Sequence, residues 1–166
     1  AEERSATTHL VFPYRGLYLR HVGNDQSVAD ANHVLFFNAG EAYQVSHPVE
    51  GGDACLVLTT PPELLRELSP ATLLRRPDTA RFRMQALRID ARAQVLVALL
   101  RHSLHHGVIE PLEAESLALT LICRSLGPRT AHATTATQGR QRLVDRVKVL
   151  LASDLGRRWS LAEIAD

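Results

Sequence analysis

Cysteine, lysine and long apolar runs are scarce in this chain of 166 residues. Its two cysteines, Cys55 and Cys123, lie far apart and outside any CxxC spacing, which argues against a disulfide framework and favours a reducing compartment. No apolar run approaches the roughly 18 to 20 residues that a transmembrane helix needs, and the N-terminus lacks the pattern of a signal peptide. We therefore expect a cytoplasmic protein without a membrane-spanning segment.

Catalytic signatures are also missing. The sequence has no Gly-rich phosphate loop, and no nucleophile, base and acid occur with the spacing of a known catalytic set. The motifs therefore do not predict an enzyme.

Charge is unevenly distributed along the chain, although the net charge is only +1. Residues 1–126 carry 12 Arg against 14 Asp and Glu, whereas residues 127–166 carry 7 Arg and Lys against 4 Asp and Glu. A basic C-terminal segment on a slightly acidic body favours a polyanionic partner for that segment alone. Only one of the 19 basic residues is a lysine, Lys148, which we attribute to coding bias.

Residues 9–60 predict an antiparallel β-sandwich or small barrel, because short apolar runs alternate there with Asn, Gly and Pro. "HLVFPYRGLYLRHV" predicts two strands broken at Pro13–Gly16, and "ARFRMQALRI" predicts a later returning strand. Three further strands are predicted, at Val34–Phe37, Ala42–Ser46 and Ala54–Thr59.

Helical patterns follow the β region. Pro62 is suited to open a short helix in "PELLRELSP", and Asp90 is suited to cap a longer one that ends before Gly107. A third helix opens at Pro111 and ends before Gly127, so we expect an antiparallel hairpin. The apolar stripes of the two long helices are wide enough to pack on the β region and to leave apolar surface for a partner. The stripe predicted for the first long helix is Val95, Leu96, Leu99, Leu100 and Leu104.

The last 40 residues divide into a linker and a second helical segment. "GPRTAHATTATQG" has no apolar period and predicts the linker. After one amphipathic helix, Ser160 and Glu163 have the spacing of a capping box, in which each side chain binds a free backbone N–H at a helix start.

These stretches resemble the AraC/XylS-type bacterial transcription regulators. "HVLFFNAGEAYQVSHP" followed by "GGDACLVL" is similar to their cupin-type effector domain, and "RQRLVDRVKVLLASDLGRRWSLAEIAD" to the start of their DNA-binding domain. The resemblance implies an α+β fold: a cupin-like antiparallel β-barrel, then an antiparallel helix pair and a truncated all-α C-terminal segment. The expected domains are an effector-binding barrel (1–89), a helical hairpin for dimerisation (90–126), a linker (127–139) and an incomplete helix-turn-helix domain (140–166).

The resemblance also implies a function. The barrel would bind a small molecule or a metal, and the homodimer would thereby control DNA binding by the C-terminal domain. Because "SLAEIAD" resembles only the opening helix of a helix-turn-helix unit, we expect a piece of a longer protein that does not itself bind an operator. Five basic residues are expected near DNA phosphates in the full protein: Arg142, Arg146, Lys148, Arg157 and Arg158.

A pocket is expected inside the barrel, where nearly all the aromatic residues fall and where one small molecule can be enclosed. The planar fork of Arg20 suits a carboxylate or a phosphate, whereas Arg15 is more consistent with the surface. The candidate ligand-binding residues are Tyr14, Tyr18, Arg20, Phe36 and Tyr43.

His21, His47 and Cys55 are the candidate metal ligands, because each falls at or near a predicted strand end. Imidazole and thiolate suit one zinc or a similar transition-metal ion, and Glu41 would instead supply the carboxylate of an iron site. However, the His-x-His spacing typical of metal cupins is missing, and Tyr43 stands where a ligating histidine often falls.

Three functions therefore remain open from the sequence. The first is the effector sensor, the second a metal-dependent cupin enzyme that activates water or dioxygen, and the third a dimerisation module whose barrel is filled by its own side chains. His102, His105 and His106 are interpreted as residues favoured by the negative end of the helix dipole rather than as metal ligands.

Overall fold

The computed structural model describes residues 2–127 and 138–165. Its strands are β1 (Glu3–Arg4), β2 (His9–Arg15), β3 (Tyr18–Val22), β4 (Asp25–Ala29), β5 (His33–Phe37), β6 (Ala42–Ser46), β7 (Ala54–Thr59) and β8 (Ala86–Arg88). Its α-helices are α1 (Pro62–Leu68), α2 (Ala91–His106), α3 (Pro111–Leu126), α4 (Gln138–Ser153) and α5 (Leu161–Ala165). This composition confirms the predicted α+β class.

The strands form two four-stranded antiparallel sheets. Sheet 1 has the order β1-β6-β3-β4, and sheet 2 has the order β7-β2-β5-β8. The turn between β2 and β3 needs a glycine at position 16, which has a φ of +74°. A Cβ there would lie 2.2 Å from the carbonyl oxygen of Gly52, so the β2–β3 turn and the turn before β7 pack backbone to backbone.

One face of sheet 2 packs against the helices through a mainly apolar core. The strands contribute Leu10, Phe12, Val34 and Phe36, and the Phe36 ring stacks on Phe82 with 4.0 Å between centroids. The helices cover this face with a buried apolar set: Leu65, Ala93, Val97, Leu121, Ile122 and Leu126.

The other face of sheet 2 packs against sheet 1. Strand alternation turns Val11, Leu35 and Phe37 toward this inner space, because neighbouring residues on a strand point to opposite faces. Sheet 1 contributes the buried residues Tyr18 and Ala29, and Tyr43 and Val45 are partly buried beside them. We call this space the inter-sheet layer.

The predicted helix hairpin is present. The Asp90 carboxylate caps α2 by accepting from Ala93 N over 2.9 Å, and it also accepts from Arg124 Nη2 at the far end of α3 over 2.5 Å. This ion pair joins the start of α2 to the end of α3, as an antiparallel arrangement requires. Gly107 ends α2 in the left-handed conformation with a φ of +62°.

The stripe predicted for α2 was wrong in part. Val95, Leu99 and Leu104 are 65%, 46% and 50% exposed, whereas the buried face is Ala93, Val97, Leu100 and Ser103. Because α2 carries apolar residues on most of its circumference, its periodicity fits two faces equally well. The smaller residues Ala93 and Val97 allow closer approach to the sheet, and the larger ones remain outside.

The β region differs from its prediction in three places. β2 continues through Pro13 to Arg15 with a register shift, rather than breaking at Pro13. β4 was not predicted, because "DQSVA" has a polar half. The returning strand is shorter than predicted, since β8 contains only 3 residues.

The C-terminal helices pack on the outer face of sheet 1. Leu19 and Val28 of the β3–β4 hairpin face Val147 and Leu150 of α4 across a cleft of about 960 Å³. Most of the predicted linker at 127–139 lies outside the described residues, and α4 begins at Gln138. Within residues 2–127 and 138–165, no helix is both long and apolar enough to cross a membrane.

Candidate functional site

Arg20 is a charged residue inside the inter-sheet layer. It follows Tyr18 by two positions on β3, so both side chains point inward, and its exposed fraction is 0%. Its guanidinium carbon lies 4.1 Å from the centroid of the Phe37 ring and 5.5 Å from that of Tyr43. Burial lowers the pKa of Arg20, and the neighbouring Glu41 carboxylate opposes that shift.

Most of the hydrogen-bonding capacity of Arg20 is unused. Its Nη2 lies 3.5 Å from Glu41 Oε2, while its Nε and Nη1 bind no described residue. A guanidinium that loses its water without gaining partners is destabilising, and stacking on two aromatic rings offsets only part of that loss. The inter-sheet layer therefore offers two free donors to an anion.

Glu41 joins Arg20 to a second arginine. Its carboxylate accepts from Arg75 Nη2 and from Asn38 Nδ2, the latter over 3.2 Å. Asn38 is itself held by the Phe82 backbone, because its Oδ1 accepts from Phe82 N over 2.7 Å. The single Glu41 carboxylate is thus shared between the buried Arg20 and the half-exposed Arg75. Glu41, predicted as an alternative metal ligand, is instead an ion-pair partner.

Three of the five predicted ligand residues lie together: Tyr18, Arg20 and Tyr43. Tyr18 is buried beside Arg20 on the same face of β3, and burial raises the pKa of its phenol. Tyr43 is only partly buried and stacks edge-on against Phe37, with 4.8 Å between centroids. It therefore lies between Arg20 and the solvent.

The other two predicted ligand residues are elsewhere. Phe36 points to the helix-facing core, one residue out of phase with the inward-facing Phe37. Tyr14 is on the surface, in a cleft of about 420 Å³ that Arg15 and Arg101 also line. The Arg101 guanidinium lies 4.7 Å from the Tyr14 ring centroid.

Two of the predicted metal ligands meet at an aspartate. His47 Nε2 lies 2.6 Å from Asp53 Oδ1, and Cys55 Sγ donates to Asp53 Oδ2 over 3.4 Å. Burial, reinforced by Asp53, raises the pKa of the Cys55 thiol to about 12.

The third predicted metal ligand, His21, is not part of this group. It alternates with Tyr18 and Arg20 on β3 and therefore lies on the outer face, where its Nε2 is 2.8 Å from Ser46 Oγ. The structure thus separates His21 from His47 and Cys55. Among residues 2–127 and 138–165, no three His, Cys, Asp or Glu side chains are placed to hold a metal ion.

Lys148 links α4 to the β region through a second buried charge. Its Nζ lies 2.8 Å from Asp30 Oδ2, while Asp30 Oδ1 lies 2.7 Å from His33 Nδ1 and accepts from Asn32 N over 2.8 Å. Burial alone would raise the pKa of Asp30, but the hydrogen bonds from His33 and Lys148 hold it well below its ordinary value. Unlike Arg20, Asp30 is therefore well supplied with partners.

The other basic residues predicted near DNA lie on the C-terminal helices. Arg142 and Arg146 are exposed and line the cleft between α4 and the β3–β4 hairpin. Arg157 binds Glu163, and its guanidinium carbon lies 4.1 Å from the Trp159 ring centroid, while Arg158 is exposed. Their role toward DNA stays a prediction.

The capping box at the start of α5 is confirmed. Ser160 N donates to Glu163 Oε2 over 2.9 Å, and Glu163 N donates to Ser160 Oγ over 3.3 Å. These bonds, together with Arg157, lower the pKa of Glu163 to about 2.

The partners of the two largely buried carboxylates, Glu41 and Asp30, were not predicted from the sequence. Arg75 reaches Glu41 only through the tertiary fold, whereas Asn38 contacts Glu41 across a local turn of three residues. The Asp30–Ala31–Asn32 turn is visible as an Asp-containing turn, but the partner of Asp30 lies 118 positions away at Lys148.

Comparison with known proteins identifies the fold. No family model matches the sequence, and no curated protein gives a significant match. Among solved structures, apo ToxT from Vibrio cholerae strain SCE256 superposes with a TM-score of 0.51 and 10% identity, over 96% of this chain and 60% of the ToxT chain. The chain shares the fold of ToxT.

A second structure, the AraC-like transcriptional activator CuxR, gives a TM-score of 0.46 and 13% identity, over 87% of this chain and 49% of that chain. ToxT is an AraC-family transcription regulator, and the fold shared with it confirms the predicted resemblance at the level of the fold. The chain spans about 60% of the length of ToxT.

Proposed function

We propose that this chain is the effector-sensing and dimerising part of an AraC-type transcription regulator, and that its effector is a small organic monoanion bound by Arg20. The observation that carries the proposal is the buried guanidinium, with Nε and Nη1 unpartnered among the described residues. A carboxylate or a phosphate monoester monoanion would accept from Nη1 or from Nε, which lie on opposite edges of the guanidinium, and the positive charge of Arg20 would attract it. The fold shared with ToxT supports the regulatory role.

Effector binding would require a local change around Tyr43. Arg20 is fully buried, whereas the Tyr43 ring beside it is only partly so, and displacement of that ring would expose the guanidinium to solvent. Such a change shifts the protein between two arrangements only if the effector binds one of them more tightly.

The same strand offers a route from the effector to the C-terminal helices. Arg20 points inward from β3, and the adjacent Leu19 points outward into the cleft with α4. β4 pairs with β3 and leads directly into Asp30, which holds Lys148 of α4. A displacement of β3 would therefore reach the segment that precedes the DNA-binding helices of the whole regulator.

The homodimer is proposed through the outer surface of α2 and α3. Four large apolar side chains on this surface are more than a third exposed: Val95, Leu99, Leu112 and Leu119. Monomeric proteins rarely leave such an apolar surface uncovered, so we assign a second copy of the chain to it. DNA binding belongs to the full-length regulator.

Thermal unfolding in the presence of small anions tests the effector proposal. The panel contains aliphatic and aromatic carboxylates, phosphate monoesters and the matching neutral amides and alcohols. We expect at least one anion, but not its neutral analogue, to raise the Tm of the wild-type chain, because a ligand that binds the native state stabilises it.

Two variants locate the binding site. Arg20→Met should abolish the shift, whereas Arg15→Met removes an equal charge from the surface cleft and should retain it. A shift lost in Arg15→Met and kept in Arg20→Met would place the anion in the surface cleft. Equal shifts by charged and neutral analogues would contradict an anionic effector.

A further inference from the structure

The C-terminal end of α2 carries a pair of histidines that the effector site does not use. His102 and His106 are one helical turn apart, are both exposed, and have their ring centroids 4.4 Å from each other. Neither ring forms a hydrogen bond or ion pair with residues in the described part of the chain, apart from the contacts among the three histidines themselves. Two imidazoles with i,i+4 spacing on one helix face can bind the same metal ion.

His105 does not complete a metal site with this pair. It is displaced around the helix, and it lines the surface cleft with Tyr14 and Arg101. No group of three metal-binding side chains occurs among residues 2–127 and 138–165, so the pair is at most half of a tetrahedral site. Within the described part of the chain, the pair therefore leaves room for ligands supplied by another molecule.

The pair lies on the surface proposed for the dimer. Val95, Leu99, His102 and His106 follow one another at intervals of 4, 3 and 4 residues, which places them in a single stripe along the exposed side of α2. In a two-fold symmetric dimer each side chain of the interface recurs in the partner copy. A second copy related by a two-fold axis that passes beside His102 and His106 therefore brings its own His102–His106 pair next to the first.

We propose that His102 and His106 of two copies form a shared site for a divalent transition-metal ion such as Zn²⁺, which strengthens the dimer. Four neutral imidazoles satisfy the tetrahedral preference of zinc, and the Val95–Leu99 part of the stripe buries apolar surface beside the metal. This inference rests on the proposed α2–α3 dimer. The site is separate from the His21, His47 and Cys55 set considered from the sequence.

Sedimentation equilibrium of the untagged chain, with ZnCl₂ or with EDTA, tests this site. We expect Zn²⁺ to lower the dimer dissociation constant by about tenfold or more, because a ligand that binds only the dimer shifts the equilibrium toward it. Native mass spectrometry should show one zinc per two chains. His102→Ala/His106→Ala should remove the zinc effect, and His105→Ala, the matched control on the same helix turn, should retain it.

The other outcomes separate the metal site from the dimer. The shared site would be overturned if neither zinc nor EDTA altered the dimer dissociation constant. It would also be overturned if each chain bound zinc without a change in oligomeric state. Either result leaves the proposed dimer standing. A monomer under all conditions would overturn both. An unchanged far-ultraviolet circular dichroism spectrum of the double variant shows that α2 remains folded.

Discussion

Sheet 2 has two faces that are built from alternate residues of the same strands but differ in chemistry. The face toward the helices presents Leu10, Phe12 and Phe36 to an apolar core. The face toward sheet 1 presents Val11 and Phe37 to a layer that contains a fully buried arginine. One face has only groups that burial stabilises, while the other includes a charge that burial destabilises.

This difference separates the scaffold from the site. The apolar core explains how the chain holds its helices on the sheet, and it needs no further partner. The inter-sheet layer retains Arg20 although a Met or Leu of similar size would pack there without a desolvation penalty. A buried charge with unpartnered donors is more readily explained by ligand binding than by stability.

The largest effect is expected in the helix-facing core. Phe36→Ala should lower the free energy of unfolding by about 3 to 5 kcal/mol, because it removes a fully buried ring and its stacking on Phe82. Val57→Ala, at an exposed position of β7, should change it by less than about 0.5 kcal/mol. Urea unfolding measures both, and similar losses in the two variants would contradict the assignment of the core.

The Asp30–Lys148 pair should show the next largest effect. A double-mutant cycle with Asp30→Asn and Lys148→Met should give a coupling energy of about 1.5 to 3 kcal/mol, as expected for a charge-assisted hydrogen bond with limited solvent access. The control variant Arg146→Met, two positions away on α4, should show no coupling to Asp30→Asn. A coupling near zero for Lys148 would mean that α4 does not depend on this contact.

Acid should weaken the same contact. The pKa of Asp30 is lowered in the folded chain, so the unfolded chain binds this proton more readily, and the stabilisation is complete above the ordinary Asp pKa of about 3.9. It is lost as pH falls from about 4 toward the lowered pKa of the folded state. The free energy of unfolding of Asp30→Asn should therefore depend less on pH below about 4 than that of the wild type. Parallel pH profiles would contradict this.

The smallest effect on stability is expected at the proposed effector site. Arg20→Met should change the free energy of unfolding of the ligand-free chain by less than about 1 kcal/mol, or increase it, because the lost Glu41 contact is offset by removal of a buried charge. Glu41 keeps its partners Arg75 and Asn38. A loss comparable to that of Phe36→Ala would make Arg20 part of the scaffold.

Local patterns predicted the elements better than their faces. β6 and β7 match their predicted bounds, and the Asp90 and Ser160 caps are present, because each depends on residues close in the chain. Alternation in β5 cannot distinguish Phe36 from Phe37, since all five residues of "HVLFF" are buried.

The inward position of Arg20 could be predicted from its spacing to Tyr18, but its lack of partners could not. Partners depend on contacts between distant segments, such as Glu41 with Arg75. For the same reason, the three predicted metal ligands could not be tested for a common face before the sheet pairing was known.

The most direct test of the central claim is ¹⁵N NMR of the arginine Nε–H groups, with Arg20 assigned from the Arg20→Met variant. We expect a slowly exchanging Arg20 Nε–H in the free chain, because the group is buried and has no partner among the described residues. That signal should shift strongly when the anion found by thermal unfolding is added, while the Arg15 signal stays in place. An Arg20 signal that exchanges rapidly, or that does not respond to an anion that raises the Tm, would contradict an effector site between the two sheets.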